Sequence, residues 1–556
     1  MTPLPPRTTA PVVGLACTLL LVALAGPARA DYIDHFANPD DIGLLKIPRS
    51  GTTRILVLPV IIDDQPFAEG SEAGFLEELA TFYDANAPGW AFTSYWQAAS
   101  LGRFRPQATI AAPVRFATCP PLGAHDDCQI PRGAGLAEGD TQGAVDVLVD
   151  AFAFLDDTFT CAQGGPGPAT SCTQGGGVDF SQFDTSGIIA GTPDGVIDGI
   201  ILVSNAGFPG IALPIKDLSN NQLLGLFGPF PEFVYGGVLI NAVAIAGFAS
   251  RPQHTTWVSV HEFGHLLGWA DLYNEDGTST DMPYSLMGGW AYRDPGSLPD
   301  AFSRIAAGFG HVVQVAGSGS YQLGAADTTG TVLKVGTGDE HFLVELRREV
   351  EGSLDGDMTI PAGVVIERVR LQKRPSPERG RYFATLQDCV NCVPFDQFLA
   401  IEQADGTFDL ERRFARDDDE DLFLAGSVLA PSDDTAQRSL DHLVFSSNRI
   451  DGTKTDITIR VLEVSNERAL VEIEAPVVED PCADISAFCQ VEDCALNDQG
   501  DGECGRLATP LSVLPPEESA CSCHYTRGPS PAAGLAGLAG LAGLLGIRAA
   551  RRRGPK

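Results

Sequence analysis

A chain of 556 residues with 37 Lys and Arg against 72 Asp and Glu carries a formal net charge of −35. Acidity of this order repels phosphate backbones and anionic lipid, which excludes nucleic acid as a partner and a membrane surface as the main one. Apolar residues make up 44% and charged residues 20%, so sizeable cores are expected and general disorder is not. The length suits about two to four domains.

In chain order, Met1 to Ala30 holds one early charge, Arg7, then an apolar run from Pro11 to Gly26, then Ala28-Arg29-Ala30 ahead of Asp31. That layout predicts a secretory signal peptide over 1–30, cut after Ala30 and taking Cys17 with it. The run is short for a membrane anchor, and Gly26-Pro27 breaks it. Residues 31–53 leave little room for an inhibitory pro-segment and contain no Cys.

The β-branched run Arg54 to Ile62 predicts a buried strand. Residues 74–101 mix helical spacing with aromatics such as Phe75, Phe82, Tyr95 and Trp96 and predict helices over that sheet. Glycines and paired cysteines dominate from Cys119 to Phe180, with some helix expected over 142–155. Asp194 to Asp198 leads into a second apolar strand over 199–203. A helical stretch follows, centred on 256–268.

That stretch contains His261-Glu262-Phe263-Gly264-His265, the pattern H-E-x-x-H, followed by Gly268 and Asp271. Residues four apart on a helix lie about 40° apart around its axis, so both imidazoles project from one face. Zn²⁺ favours such nitrogen ligands in a tetrahedral array and keeps an open position in catalytic sites. Glu262, beside the first ligand, is placed to act as general base. One helix cannot easily supply three ligands to one tetrahedron. Gly268 can adopt positive φ and end the helix, letting the chain turn back and present Asp271 as the third ligand. The metal set read from the sequence is His261, His265 and Asp271, with Glu262 catalytic. Trp257, Leu266 and Leu267 read as the buried stripe of the helix.

Downstream, Tyr284-Ser285-Leu286-Met287-Gly288-Gly289-Trp290 resembles the Met-turn of metzincins, although Gly289 stands where a Tyr is usual. A phenol that assists the oxyanion would come from Tyr273, Tyr284 or Tyr292.

Past residue 310 the texture changes. Segments 319–323, 331–335, 341–347, 363–371, 397–402, 456–464 and 468–474 are short, apolar and punctuated by Gly or Asp, predicting strands without helices. Ile457, Ile459 and Val461 alternate, as do Ala469, Val471 and Ile473, with Ser465-Asn466 between them as a hairpin turn. From Val477 to about Ser530 the chain is acidic and Cys-rich, reading as a stapled linker. Close-spaced cysteines in an exported chain are disulfide candidates before metal ligands. Here they are Cys119/Cys128, Cys161/Cys172, Cys389/Cys392 and the cluster Cys482, Cys489, Cys494 and Cys504.

The tail joins Cys521-Ser-Cys523 to a Gly-Leu-Ala stretch from Ala532 to Ile547 and a basic end at Arg548, Arg551, Arg552, Arg553 and Lys556. It resembles the tripartite sorting tags of Gram-negative bacteria, most of all the myxobacterial type, in which a surface-sorting protease removes the helix and basic end. The plainer reading is a C-terminal transmembrane helix, and both require export.

Most of the mature chain, from the Ile55–Val60 strand to the Ala469–Ile473 strand, resembles the immune inhibitor A family of secreted bacterial zinc metallopeptidases. The resemblance runs through Ser94-Tyr-Trp with Gly102-Arg-Phe, the Asp194–Asn205 block and His261–Tyr273. It continues through Phe342-Leu-Val-Glu345 and Gln403-Ala-Asp-Gly-Thr-Phe-Asp-Leu410. It implies an α+β fold: a zincin-like catalytic domain over 31–310, with a mixed sheet and an active-site helix, then an all-β sandwich-like module over 311–476. The Cys-rich linker takes 477–530 and the tail 531–556. It also implies zinc on His261, His265 and Asp271, Glu262 as base, and structural Ca²⁺, for which Asp194, Asp198 and the Asp417–Asp421 cluster are candidates beside the plainer reading of solvated acidic loops.

The expected function is an exported, secreted or cell-surface, zinc-dependent endopeptidase acting on protein or peptide substrates, touching a membrane only through its tail. The competing reading is a surface-displayed binding or adhesion protein with a structural zinc. Glu262 speaks against it, because a structural site needs no base.

Overall fold

The computed structural model describes residues 49–67, 70–116, 178–185, 192–205, 211–214, 234–235, 237–240, 242–247, 252–269, 272, 282, 284–288 and 296–355. Further on it describes 361–373, 382–383, 391, 397–412, 419–439, 441–482, 495–496 and 502–504. Among the described residues no helix is long and apolar enough to cross a membrane. The expected signal segment, the 142–155 helix and the tail lie outside them.

The first unit is built on β1 (Gly51–Ile62), buried without interruption from Ile55 onward. Such a run reads on both faces as apolar because a parallel strand inside a sheet is covered on both sides. Beside it lie β2 (Phe104–Ile110), β3 (Val114–Phe116) and β4 (Ile200–Ser204), all parallel to it. β8 (Ala242–Gly247) adds in parallel to β4, and β5 (Ile211–Pro214) ends the sheet antiparallel to β8. The order is β2-β1-β4-β8-β5, a mixed sheet. The short strands β6 (Val234–Tyr235) and β7 (Val238–Leu239) pair antiparallel with each other as a separate two-stranded sheet.

Helix α1 (Glu72–Phe82) starts at Ser71, whose Oγ accepts the Gly74 N–H at 3.1 Å. It buries Phe75, Leu79 and Phe82, a one-sided stripe. Helix α2 (Phe92–Ala99) buries Phe92, Tyr95, Trp96 and Ala99. Helix α3 (Pro252–Leu266) follows β8 and packs Trp257, Val260, Phe263 and Leu266 into the same core. There Trp96 meets Phe104, Phe263, Trp269 and Phe309.

Helix α4 (Ala301–Ala306) leads into the β-rich part. Its strands are β9 (His311–Gln314), β10 (Gly319–Gly324), β11 (Thr331–Val335), β12 (Glu340–Arg347) and β13 (Gly363–Arg370). The pair β14 (Gln372–Lys373) and β15 (Tyr382–Phe383) follows, then β16 (Leu399–Ile401), β17 (Val428–Leu429), β18 (Thr458–Val464), β19 (Arg468–Glu474), β20 (Ala495–Leu496) and β21 (Gly502–Cys504). All seven segments expected as strands contain one, and β18 and β19 form an antiparallel hairpin. Two one-turn helices, Ala326–Thr329 and Asp409–Arg412, stand where none was expected.

One sheet runs β16-β13-β12-β11-β9-β21-β20, the other β10-β19-β18-β17. Between them Val313, Leu333, Val344 and Ile366 meet Leu429, Ile459 and Val471 in one core. Successive side chains on a strand face opposite ways. The neighbours Val312, Val332, Leu343 and Val365 therefore join the core that holds Ile55 and Phe263. One of the two cores thus draws residues from both sides of the division near residue 310.

The region read as a linker from 477 also takes part in the fold. β21 pairs with β9, and Cys504 is buried in the shared core. Cys482 and Cys504 are both disulfide-bonded. A cross-linked segment loses less entropy on ordering, which suits a short polar stretch to an edge position.

Candidate metal centre

His261, Glu262 and His265 sit on the last turns of α3, all buried. One ligand atom from each lies within 4.8 Å of the others, and no other such His, Cys, Asp and Glu group occurs among the described residues. His265 Nε2 lies 3.9 Å from Glu262 Oε2. The two imidazoles are 4.9 Å apart and almost perpendicular, at 88°.

Backbone carbonyls set both rings. His261 Nδ1 lies 2.9 Å from the Leu286 carbonyl and His265 Nδ1 2.7 Å from that of Trp269. A carbonyl only accepts, so each Nδ1 carries the hydrogen and the lone pair stands on Nε2. Metal-binding histidines are typically oriented by a partner of this kind. Two imidazole nitrogens presented together suit a cation of borderline softness such as Zn²⁺.

The helix ends as the sequence requires. Gly268 has φ of 92°, a left-handed conformation that glycine adopts without a Cβ clash. Its N–H bonds to His265 O at 2.9 Å, and the Trp269 N–H returns to Gly264 O at 3.2 Å. Further on, the Leu272 N–H bonds to Met287 O at 2.9 Å. Asp271, the expected third ligand, lies outside the described residues, as do Tyr273 and Tyr292. Tyr284 is buried in the core.

The turn 284–288 lies against α3. Ser285 Oγ accepts the Met287 N–H at 3.1 Å and donates to Asp300 Oδ2 at 2.6 Å. Gly288 is required sterically, since a Cβ there would stand 1.9 Å from Met282 O. Asp300 also caps α4, its Oδ1 accepting the Ser303 N–H at 2.7 Å. Sequence reading did not find Asp300 as part of this site. The only available signal was an Asp three residues before a Ser at a helix start.

The β-rich part reaches this segment with buried charges. Arg347 of β12 donates to Asp355 at 2.7 and 2.8 Å, to Glu345 at 3.0 Å and to Leu298 O at 3.0 Å. Asp355 in turn accepts the Leu298 N–H at 3.1 Å. Glu345 pairs with Arg304 of α4, and Glu367 of β13 accepts the Ala301 and Phe302 N–H groups at 2.9 and 3.3 Å. Burial, with Asp300 and Glu345 close by, pushes the Glu367 carboxyl well above the usual carboxylate range. Tyr95, donating to Ser297 O at 2.9 Å, is likewise held protonated by burial and by the Asp355 charge.

Of the calcium candidates, Asp198 is buried and accepts the Thr185 N–H and hydroxyl and the Arg54 N–H. Asp194 Oδ1 accepts the Val196 N–H at 3.1 Å. Both carboxylates thus brace the loop before β4. Asp417 lies outside the described residues.

Compared with known proteins, the chain matches no family model and no curated sequence.

Proposed function

We propose that this chain is an exported zinc-dependent endopeptidase of the immune inhibitor A type. The observation that carries the reading is the buried His261, Glu262 and His265 group on one helix end, with both Nδ1 atoms committed to backbone carbonyls. His261 and His265 hold zinc through Nε2, and Asp271 is the proposed third ligand. The flanks of Asp271 support that choice, because Trp269 and Leu272 are tied by hydrogen bonds to His265 and Met287.

Zinc supplies Lewis acidity, which acidifies water and polarises a peptide carbonyl. The protein's own part is proton traffic and order. Glu262 takes the proton from the attacking water and passes it to the leaving amine. Its burial, at 4% exposed, keeps bulk water from competing for that proton. The tail and signal segment belong to the same proposal, as means of export and surface display.

The test is metal analysis of the purified mature chain together with casein hydrolysis by the wild type and Glu262→Gln. The expected result is one bound zinc in both proteins and a loss in the variant of about 10²- to 10⁴-fold in rate. Hydrolysis at the wild-type rate by the variant would reject Glu262 as base. Zinc binding without hydrolysis by the wild type would move the reading to a structural metal in a binding protein.

A further inference from the structure

We propose that Asp300 is a positioning residue for the ligand His261, acting through the 284–288 turn, and that the second sheet holds Asp300 in place. This role presupposes the zinc reading given above.

The linkage is short and wholly internal. His261 Nδ1–H is oriented by Leu286 O at 2.9 Å, and Leu286 lies between Ser285 and Met287. The Ser285 hydroxyl has its oxygen committed to the Met287 N–H and its hydrogen to Asp300, so the turn is pinned at the residues either side of Leu286. Ser285, Leu286, Met287 and Asp300 are all 0% exposed. Water therefore cannot substitute for a lost partner, and a buried polar group left alone carries its full desolvation cost.

Asp300 is itself over-determined. Its second oxygen caps α4 at Ser303, and the two preceding N–H groups of that helix end on Glu367 of β13. Two residues earlier, Leu298 is gripped on its carbonyl by Arg347 and on its N–H by Asp355. The β-rich part thereby fixes where the Asp300 carboxylate stands. Outer partners of metal-binding histidines commonly matter about 10- to 100-fold in metal affinity, and this is the size of effect the arrangement implies.

A purely structural role would lower stability without touching the metal, and the two roles separate in one experiment. The full mature chain is loaded with zinc, and in parallel with cobalt. The wild type is compared with Ser285→Ala, Asp300→Asn and Thr93→Val. Thr93 donates to Pro106 O at 2.7 Å, and its loss is a structural control outside the hydrogen-bond chain from His261 to Asp300. The readouts are zinc release to dipicolinate, the visible cobalt spectrum and thermal unfolding.

The expected result is that Ser285→Ala and Asp300→Asn release zinc at least about tenfold faster with a shifted cobalt spectrum, while Thr93→Val changes only stability. Wild-type release and spectrum in both variants, or failure of both to fold, would assign the pair to stability alone and overturn the proposal. A wild type that takes up neither metal would overturn the zinc reading, and this role with it.

Discussion

A methyl group placed on Gly264 would stand 2.9 Å from the sulfur of Met287 and 2.9 Å from a ring carbon of Trp269. Gly264, the residue just before the second histidine, is therefore small because the turn beneath the helix presses on it. Gly264→Ala is expected to destabilise the fold by about 1–3 kcal/mol through overpacking. It should also loosen metal retention, since relief requires the 284–288 turn or Trp269 to move. Thermal unfolding and zinc release measure the two effects.

Metal removal should act on stability as well as on activity. A ligand that binds only the folded state stabilises it by about 2.7 kcal/mol at a hundredfold excess over its Kd. Chelation with phenanthroline is expected to abolish casein hydrolysis and lower the melting temperature, and added zinc should restore both. A melting temperature indifferent to zinc would contradict binding to the folded state.

Arg347 is expected to be among the costliest side chains to lose in the β-rich part. Asp355 and Glu345 raise its pKa against the opposing effect of burial, so it stays charged. Arg347→Met leaves the Asp355 carboxylate buried without its cation, a change of about 3–5 kcal/mol. Adding Asp355→Asn should recover part of that loss, because the uncompensated charge is then gone. Urea unfolding of the two variants checks the order.

Acid should weaken the fold through His341. Its imidazole is buried, with Lys334 close by, and its pKa lies well below the ordinary 6.5. Below that pH the unfolded chain takes up a proton at this position that the folded chain refuses. Stability is therefore level above about pH 6.5 and falls as pH drops toward the folded pKa. The difference in stability between His341→Gln and the wild type should thus shrink or reverse on acidification, as followed by denaturant unfolding at several pH values.

Much of the framework was legible from local pattern. The run Ile55 to Ile62 and the alternation of Ile459 and Val461 against Ala469, Val471 and Ile473 gave strands where strands occur, because burial on two faces or one leaves a period in the chain. The spacing of His261 and His265 placed two imidazoles on one helix face, and Gly268 marked the helix end. Other parts left no such trace. β2, β9 and α4 carry weak or mixed patterns, and the strands of 495–504 sit in a polar region read as a linker. Their order comes from pairing and hydrogen bonds with distant residues.

The sequence by itself determined the donor set on α3, because a helix converts a spacing of four into shared direction. It also determined the two textures of the chain, mixed before residue 310 and β-rich after. Only the tertiary structure decided what holds those donors. The carbonyl on His261 comes from Leu286, the hydroxyl pinning that turn answers to Asp300, and Glu367 and Arg347 reach the same segment from the far sheet. Partners 15 to 66 residues apart leave no periodicity to read, and a buried charge declares its purpose only when the group that neutralises it is brought beside it.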